Sequence, residues 1–284
     1  MKDLWDDDGA AECGDDLLAL RVYSSRLIGQ STDLVLHGGG NTSVKAGFTD
    51  IFGVTHDVLY VKGSGWDLAT IEAAGFAPVK LDSLLKLSRF DQLSDADMVS
   101  AQRAAMLDPS APTPSVEAIL HALIPYRFVD HTHADAVVAL SNIPDGEARI
   151  RSLYGDRMLI VPYVMPGFIL AKKVVELTAG IDWSKLEGMV LMNHGIFSFA
   201  DDAKESYQHM IHFVSQAQDA LGQRPSPSVD SVAVPPLALA TLRHEVSRVA
   251  GTAMLARFDG TPASHAFANI ENVDIAAQDI IEKR

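Results

Sequence analysis

Two histidines separated by one residue, His131 and His133, are the sharpest chemical signal in the chain. The segment around them reads as a strand from Phe128, and strand side chains at positions i and i+2 point to the same face of a sheet. The two imidazoles are therefore placed to share one metal ion, which for zinc requires nitrogens about 2.0–2.1 Å from the ion. Alone, the pair is also compatible with two ordinary polar residues of a strand.

A third histidine, His194, follows an apolar run and precedes Gly195. Functional residues of α/β proteins concentrate in the loops that follow apolar strands. Three neutral imidazoles leave a coordination position open for a substrate, which is the arrangement of a catalytic zinc site. The sequence thus predicts a divalent cation, with zinc as the expected ion, bound by His131, His133 and His194.

Glu117 is the candidate general acid and base. Thr113 as N-cap and Pro114 as first helical residue predict a helix through about Leu123. A carboxylate in the first turns of this helix is favoured by the helix dipole whatever its function. If it faces the metal instead, it can move a proton at a carbon next to a carbonyl. His121, one turn later, is expected to support the helix and not to bind metal.

Two glycine-rich loops, residues 38–43 and residues 62–65, offer a second kind of site. Exposed backbone amides, together with Asn and Ser side chains, form anion-binding nests in such loops. Neither loop matches a Walker A or a dinucleotide-binding pattern. As isolated features, both loops are equally well explained as turns.

The elements that must position these residues mix strands and helices without strict alternation. Strands are predicted near residues 58–61, 128–133, 158–161 and 189–192, and a further apolar run spans 196–199. Helices are predicted over 16–28, within 80–106, over 134–141 and from Asp201 or Asp202 to Leu221. This pattern favours an α/β layered domain with a partly antiparallel sheet over a Rossmann fold.

Three segments are expected along the chain. Residues 1–15 read as a loose acidic arm, residues 16–221 as the α/β domain, and residues 222–284 as a linker with a C-terminal helical extension. The linker is predicted from the Pro- and Ser-rich run that begins at Gly222.

Composition narrows the range of partners. With 23 basic and 37 acidic residues, the formal net charge is −14, which disfavours nucleic acid and anionic membranes as partners. No apolar stretch approaches the 18 or more residues of a membrane helix, and the acidic N-terminus is unlike a secretory signal. Cys13 is the single cysteine, which fits a reducing, cytoplasmic location.

Five short motifs occur in one order that resembles the class II aldolase/adducin family. They are Gly40-Asn41-Thr-Ser43, Lys62-Gly-Ser64-Gly65, Pro114-Ser115-Val-Glu117, His131-Thr-His133 and Asn193-His194-Gly195. The resemblance implies a three-layer α/β/α class II aldolase-like domain with a mostly antiparallel central sheet. It also implies a zinc-type ion on the three histidines, with Glu117 as the acid/base.

The resemblance further implies a substrate and an assembly. A small sugar phosphate would be held through its phosphate by Asn41, Ser64, Gly65 and Ser115, in a site between the subunits of a homotetramer. Val116 departs from the pattern, because sugar-phosphate aldolases often carry a second serine there. Lys62 is either a compensating positive charge or an ordinary solvated lysine.

A closer similarity is to the aldolase-like half of bacterial rhamnulose-1-phosphate aldolase/alcohol dehydrogenase fusions, of which the chain would be a fragment or a stand-alone form. The resemblance thus implies a class II aldehyde-lyase that cleaves a small ketose, expected to be a sugar phosphate, through an enediolate stabilised by the metal. The alternatives are a sugar-phosphate 4-epimerase or a dehydratase on the same scaffold, or a non-catalytic adducin-like interaction domain. Retention of the three histidines and Glu117 argues against the last of these.

Overall fold

A seven-stranded sheet runs through the computed structural model, which describes residues 1–222, 234–261 and Ser264. The strands are β1 (Asn41–Thr49), β2 (Thr55–Lys62), β3 (Phe76–Lys80), β4 (Phe128–Thr132), β5 (Met158–Val161), β6 (Gly188–Leu191) and β7 (Gly195–Ala200). Their order across the sheet is β3-β2-β1-β4-β7-β6-β5. Only the β5–β6 pair is parallel among these neighbours, so the predicted mostly antiparallel sheet is confirmed.

Helices cover both faces of the sheet. They are α1 (Asp7–Ala11), α2 (Leu17–Gly29), α3 (Leu81–Leu87), α4 (Asp95–Ala104), α5 (Ala118–Leu123), α6 (Asp135–Ser141), α7 (Gly146–Tyr154), α8 (Phe168–Thr178) and α9 (Ala203–Leu221). One core cluster joins α2, α6, α7 and α9 to the sheet, and a second joins α3, α4, α5 and α8. Neighbouring strand residues divide between the two clusters, as Ile196 and Phe197 do, because strand side chains alternate between faces. The three-layer arrangement is therefore confirmed.

The helix that carries His121 begins later than the sequence suggests. It starts at Ala118, with Glu117 at the N-cap position and no capping hydrogen bond from its side chain. Pro114 instead pairs with Gly63 in an isolated antiparallel bridge. The prediction of a helix opened by Thr113 and Pro114 was wrong, because Pro114 is held in this tertiary pairing, and a turn at Val116 and Glu117 then leads into the helix.

The N-terminal residues differ from the predicted loose arm. They include α1, which Asp6 caps by accepting a hydrogen bond from the Gly9 amide. The terminal ammonium group of Met1 donates to Ser215 Oγ at 2.8 Å, and Trp5 packs against the core. Apolar side chains within the acidic run therefore fasten residues 1–15 to the domain.

A buried ion pair ties α2 to the central strand β4. Arg21 Nη2 lies 2.6 Å from Asp130 Oδ1, and both side chains are fully buried. Ser206 Oγ donates to Asp130 Oδ2 at 2.6 Å, so α9 also contacts this strand. These contacts fix the strand residue that directly precedes His131.

The C-terminal part forms a separate unit that contains one described helix, α10 (Pro236–Ala250). Proline occupies its first turn and Gly251, in the left-handed conformation, follows its end. Residues 223–233, which include most of the predicted linker, and residues 262–263 and 265–284 lie outside the described residues. Within the described ranges, no helix is long and apolar enough to span a membrane.

Candidate metal centre

The end of strand β4 places His131 and His133 beside each other. His131 is fully buried and pairs in register with Asn41 of β1 and Phe197 of β7. Its Nδ1 lies 3.1 Å from the carbonyl oxygen of Ile196. A carbonyl can only accept, so Nδ1 carries the hydrogen and Nε2 keeps its lone pair. Such a hydrogen bond orients the imidazole of a metal ligand.

His194 lies in the tight turn between β6 and β7. Asn193 has a positive φ of 59°, a conformation that Asn tolerates better than most residues. Its side chain donates to Asn142 Oδ1 at 2.6 Å, which anchors the turn to the end of α6. Gly195 has no room for a side chain, because an added Cβ would collide with the Thr132 carbonyl oxygen and crowd the His131 ring. The turn therefore fits closely against the end of β4.

The three histidines direct their Nε2 atoms at one point. His133 Nε2 lies 3.0 Å from His131 Nε2 and 3.2 Å from His194 Nε2. Zinc with tetrahedral nitrogen ligands at 2.0–2.1 Å would separate those nitrogens by about 3.3 Å. Burial, and then the neighbouring His194, lower the pKa of His131 well below its usual range, so this imidazole is neutral and able to coordinate. The three residues form a cluster that could hold a metal ion.

The Glu117 carboxylate faces the histidine cluster. Its Oε2 lies 3.3 Å from His131 Nε2, and its Oε1 lies 3.5 Å from His194 Nε2. Asn41 Nδ2 is 2.6 Å from Oε2, whereas Oε1 is buried and has no hydrogen-bond partner. A buried oxygen without a partner is costly to keep, which is typical of a group held for binding or chemistry.

The two glycine-rich loops meet the histidine cluster in one cavity of about 290 Å³. Its lining includes the proposed anion-binding residues Asn41, Ser64, Gly65 and Ser115, together with Glu117, His133 and His194. The Ser64 amide donates to Thr113 O at 2.9 Å and the Ser115 amide donates to Lys62 O at 3.1 Å. This pairing holds the loop after β2 against the segment that leads into α5.

Lys62 lies in this cavity wall and is only 3% exposed, which excludes the alternative of a solvated lysine. Its Nζ donates to the Gly38 carbonyl at 2.7 Å and so joins the two loops. Burial lowers the pKa of Lys62 to about 8, opposed by the nearby carboxylates of Asp67 and Glu117. Val116 also lines the cavity, at the position where sugar-phosphate aldolases often carry a second serine.

Two features of the site were missed by sequence reasoning. His121 is fully buried and hydrogen-bonds to Ser43 and Asn41, beyond the helix-supporting role expected for it. The spacing of the residues could have indicated this role. Asn41 and Ser43 are two residues apart, which places both side chains on one face of a strand. Glu117 and His121 are four residues apart, which places them about one helical turn from each other. Pro166 also lines the cavity, and nothing in its sequence context marks it.

Comparison with known proteins agrees with this architecture. The sequence profile of the Class II Aldolase and Adducin N-terminal domain matches residues 21–221. The structure of the N-terminal class II aldolase domain of a conserved protein from Thermoplasma acidophilum has 39% sequence identity and a TM-score of 0.71, and covers 78% of this chain and 100% of that chain. An aldolase II superfamily protein from Pseudomonas syringae shares the fold at a TM-score of 0.51 and 16% identity, with 94% of this chain and 96% of that chain covered.

A curated relative is the uncharacterized oxidoreductase YuxG of Bacillus subtilis (strain 168), which is 37% identical over 224 residues. The match covers 79% of this chain, which spans about a third (32%) of the length of YuxG. The finer similarity to rhamnulose-1-phosphate aldolase fusions stays a prediction. Class II aldolases depend on a metal ion, in keeping with the histidine cluster. On the profile match and these identities, the chain belongs to the class II aldolase and adducin family.

Proposed function

We propose that this protein is a metal-dependent aldolase that cleaves a small ketose, with a phosphorylated sugar as the preferred substrate. One observation carries the proposal. Glu117 Oε1 has no hydrogen-bond partner and lies beside the cluster of three histidines, and Glu117, His133 and His194 line the same small cavity. A proton-transfer group and a cation site so close together suit chemistry at a carbon next to a carbonyl.

The donor set fits a divalent cation of the zinc type. Imidazole nitrogens are ligands that Zn²⁺ prefers, and three protein ligands leave a position for substrate oxygen. When bound, the ion would act as a Lewis acid that polarises the ketose carbonyl and stabilises the negative charge of the enediolate. The histidines themselves orient the ion, and the Ile196 carbonyl holds His131 in the tautomer that coordinates.

Glu117 supplies the proton transfer in this proposal. Its Oε1 lies 3.5 Å from His194 Nε2, and Glu117 lines the cavity. In the cleavage direction the hydroxyl group on the carbon that becomes the aldehyde loses its proton to solvent, and the electron pair of the breaking C–C bond stays on the other fragment as the enediolate. Oε1–H then gives a proton to the enediolate carbon, and solvent protonates Glu117 again. In the addition direction the same oxygen removes that proton, and the C–H electron pair remains on the substrate.

The opposite wall of the cavity would hold the phosphate. The Ser64 and Ser115 side chains, the backbone at Gly65 and one of the two Asn41 amide hydrogens are the proposed donors, since Glu117 engages the other. Lys62 adds an ammonium group whose hydrogen bond to Gly38 leaves two further hydrogens. A doubly charged group is therefore favoured here in spite of the net charge of −14.

The test is a substrate panel on zinc-loaded protein. Ketose 1-phosphates, pentulose 5-phosphates and their unphosphorylated forms are incubated, and aldehyde release and epimer formation are both measured. Aldehyde release from a ketose 1-phosphate supports the proposal. Epimer formation without net aldehyde supports the 4-epimerase alternative, and water loss supports a dehydratase. If no compound reacts while zinc is fully bound, the aldolase proposal is wrong and an adducin-like interaction domain gains support.

We also propose that the protein assembles as a homotetramer with the site completed between subunits, as the family resemblance implies. Light scattering should then report a mass near four times the 30.6 kDa of one chain. A fully active monomer would contradict this assembly.

A further inference from the structure

A line of hydrogen bonds runs from His121 to Glu117 behind the histidine cluster. His121 Nδ1 lies 2.7 Å from Ser43 Oγ, and His121 Nε2 is hydrogen-bonded to Asn41 Oδ1. Asn41 Nδ2 in turn lies 2.6 Å from Glu117 Oε2. All four side chains are buried, so these contacts decide where each hydrogen lies.

The chemistry of the groups sets the direction of every bond. A carboxylate accepts, so Asn41 presents its NH₂ group to Glu117 and its Oδ1 to His121. An amide oxygen also only accepts, so His121 Nε2 carries a hydrogen. Burial lowers the pKa of His121 well below its usual range, which keeps the ring neutral. Its Nδ1 therefore accepts from the Ser43 hydroxyl, and all three hydrogens point towards Glu117.

The direction of these hydrogen bonds distinguishes the two oxygens of the Glu117 carboxylate. Oε2 already accepts a hydrogen bond from Asn41, and a proton added there would weaken that bond. Oε1 has no hydrogen-bond partner. Oε1 is therefore the carboxylate oxygen that the protein's own hydrogen bonds leave available to a substrate.

We propose that His121 is a positioning residue that holds Glu117, through Asn41, so that Oε1 is the oxygen that exchanges a proton with the substrate. The inference rests on the proposed function, in which Glu117 transfers protons. It also gives Asn41 a role besides phosphate binding, because one of its amide hydrogens and its oxygen are engaged by Glu117 and His121.

A pair of variants separates positioning from general support of the fold. In His121→Gln the side-chain amide can occupy the place of Nε2 and still donate to Asn41. In His121→Asn the shorter amide reaches only the place of Nδ1, near Ser43. Both replacements are neutral and polar, so both weaken packing in similar ways. The matched controls are His212→Gln and His212→Asn, because His212 is exposed on α9.

The activity readout is hydrogen–deuterium exchange at the carbon next to the carbonyl of dihydroxyacetone phosphate, with zinc-loaded protein in D₂O. A hydrogen bond between two neutral groups is typically worth about twofold to tenfold in a rate constant. We expect His121→Asn to lower kcat by that factor with KM and zinc content nearly unchanged. His121→Gln should recover most of the loss, and each histidine control should match the wild type. Equal kcat losses in the two His121 variants would overturn the proposal.

A second readout does not depend on turnover. Nitrogen-15 NMR of the histidine rings reports which ring nitrogen carries the hydrogen. The spectrum is recorded on the zinc-loaded wild-type protein, and the His121 signal is assigned from its absence in His121→Gln. We expect a neutral ring with hydrogen on Nε2, and a hydrogen on Nδ1 would overturn the proposal. If the wild type shows no exchange with dihydroxyacetone phosphate, the substrate panel decides the aldolase proposal, and the tautomer decides whether His121 orients Glu117. If either His121 variant fails to fold, the tautomer measured in the wild type again decides whether His121 orients Glu117.

Discussion

Replacing Glu117 by Gln should abolish most proton transfer while it preserves the fold and the metal. The amide is the same size as the carboxyl group, and its oxygen can accept the 2.6 Å hydrogen bond from Asn41 in place of Oε2. Its NH₂ group then occupies the position of Oε1, which lies 3.5 Å from His194 Nε2. No hydrogen bond between protein groups is lost, but the group beside His194 can no longer take a proton.

The size of the effect follows from the role assigned to Oε1. A general acid or base contributes about 10²–10⁴-fold to a rate, which corresponds to about 2.7–5.5 kcal/mol. We expect kcat for dihydroxyacetone phosphate exchange to fall by that factor, with KM changed little, because Glu117 is not proposed to bind the ground-state substrate.

The assay pairs this variant with Glu72→Gln, which alters an exposed glutamate outside the cavity lining. Metal content and the thermal unfolding midpoint are measured on both. Unchanged exchange by zinc-loaded Glu117→Gln would refute the reasoning and reduce Glu117 to a structural residue at the start of α5. Loss of zinc in this variant would instead show that the carboxylate is itself a metal ligand.

Three further changes test other parts of the structure. Burial lowers the pKa of Lys62 to about 8, so the positive charge of Lys62 is lost as pH rises through that value. The KM for a phosphorylated ketose should therefore rise above pH 8 in the wild type but not in Lys62→Met. Parallel pH profiles would contradict the anion role of Lys62. Arg21→Met leaves Asp130 charged and unpaired in the core, so denaturant unfolding should show a loss of about 3–5 kcal/mol, against little change for the exposed Arg149→Met. A loss no larger than that of the control would show that Asp130 finds other partners. Gly195→Ala should lower zinc affinity about 10–100-fold in a chelator competition, because its Cβ meets the Thr132 carbonyl and the His131 ring, whereas Gly47→Ala in β1 should not. Equal affinities in the two variants would show that the turn at His194 relaxes without cost.

The features that could be predicted from the sequence are those that depend on residues close together in the chain. The spacing of His131 and His133 needs only the two-residue period of a strand. The long helix α9 shows an apolar stripe at helical spacing, and Asp202 caps it by accepting from the Glu205 amide. These features depend on neighbours within a few residues, so one sequence is enough to predict them.

Strand β1 was not predicted because its residues depend on distant partners. It contains Lys45, whose Nζ donates to the carbonyls of His121, Ile124 and Tyr126 at 2.6–2.9 Å. From the sequence alone, a lysine is expected to be exposed to solvent. Here Lys45 lies in a strand within the sheet and donates hydrogen bonds to the carbonyl groups at the end of α5. The same dependence on long-range contacts hides the partners of Asn41 and the late start of α5 after the Gly63–Pro114 bridge.

The central claim is that His131, His133 and His194 bind one divalent cation. Elemental analysis combined with X-ray absorption at the zinc edge tests it most directly, on the wild type and on His133→Ala, with His212→Ala as the control on an exposed histidine. We expect about one zinc per chain in the wild type and the control, with nitrogen ligands at about 2.0–2.1 Å, and a large loss of zinc in His133→Ala. Full zinc occupancy with an unchanged nitrogen shell in His133→Ala would contradict the assignment.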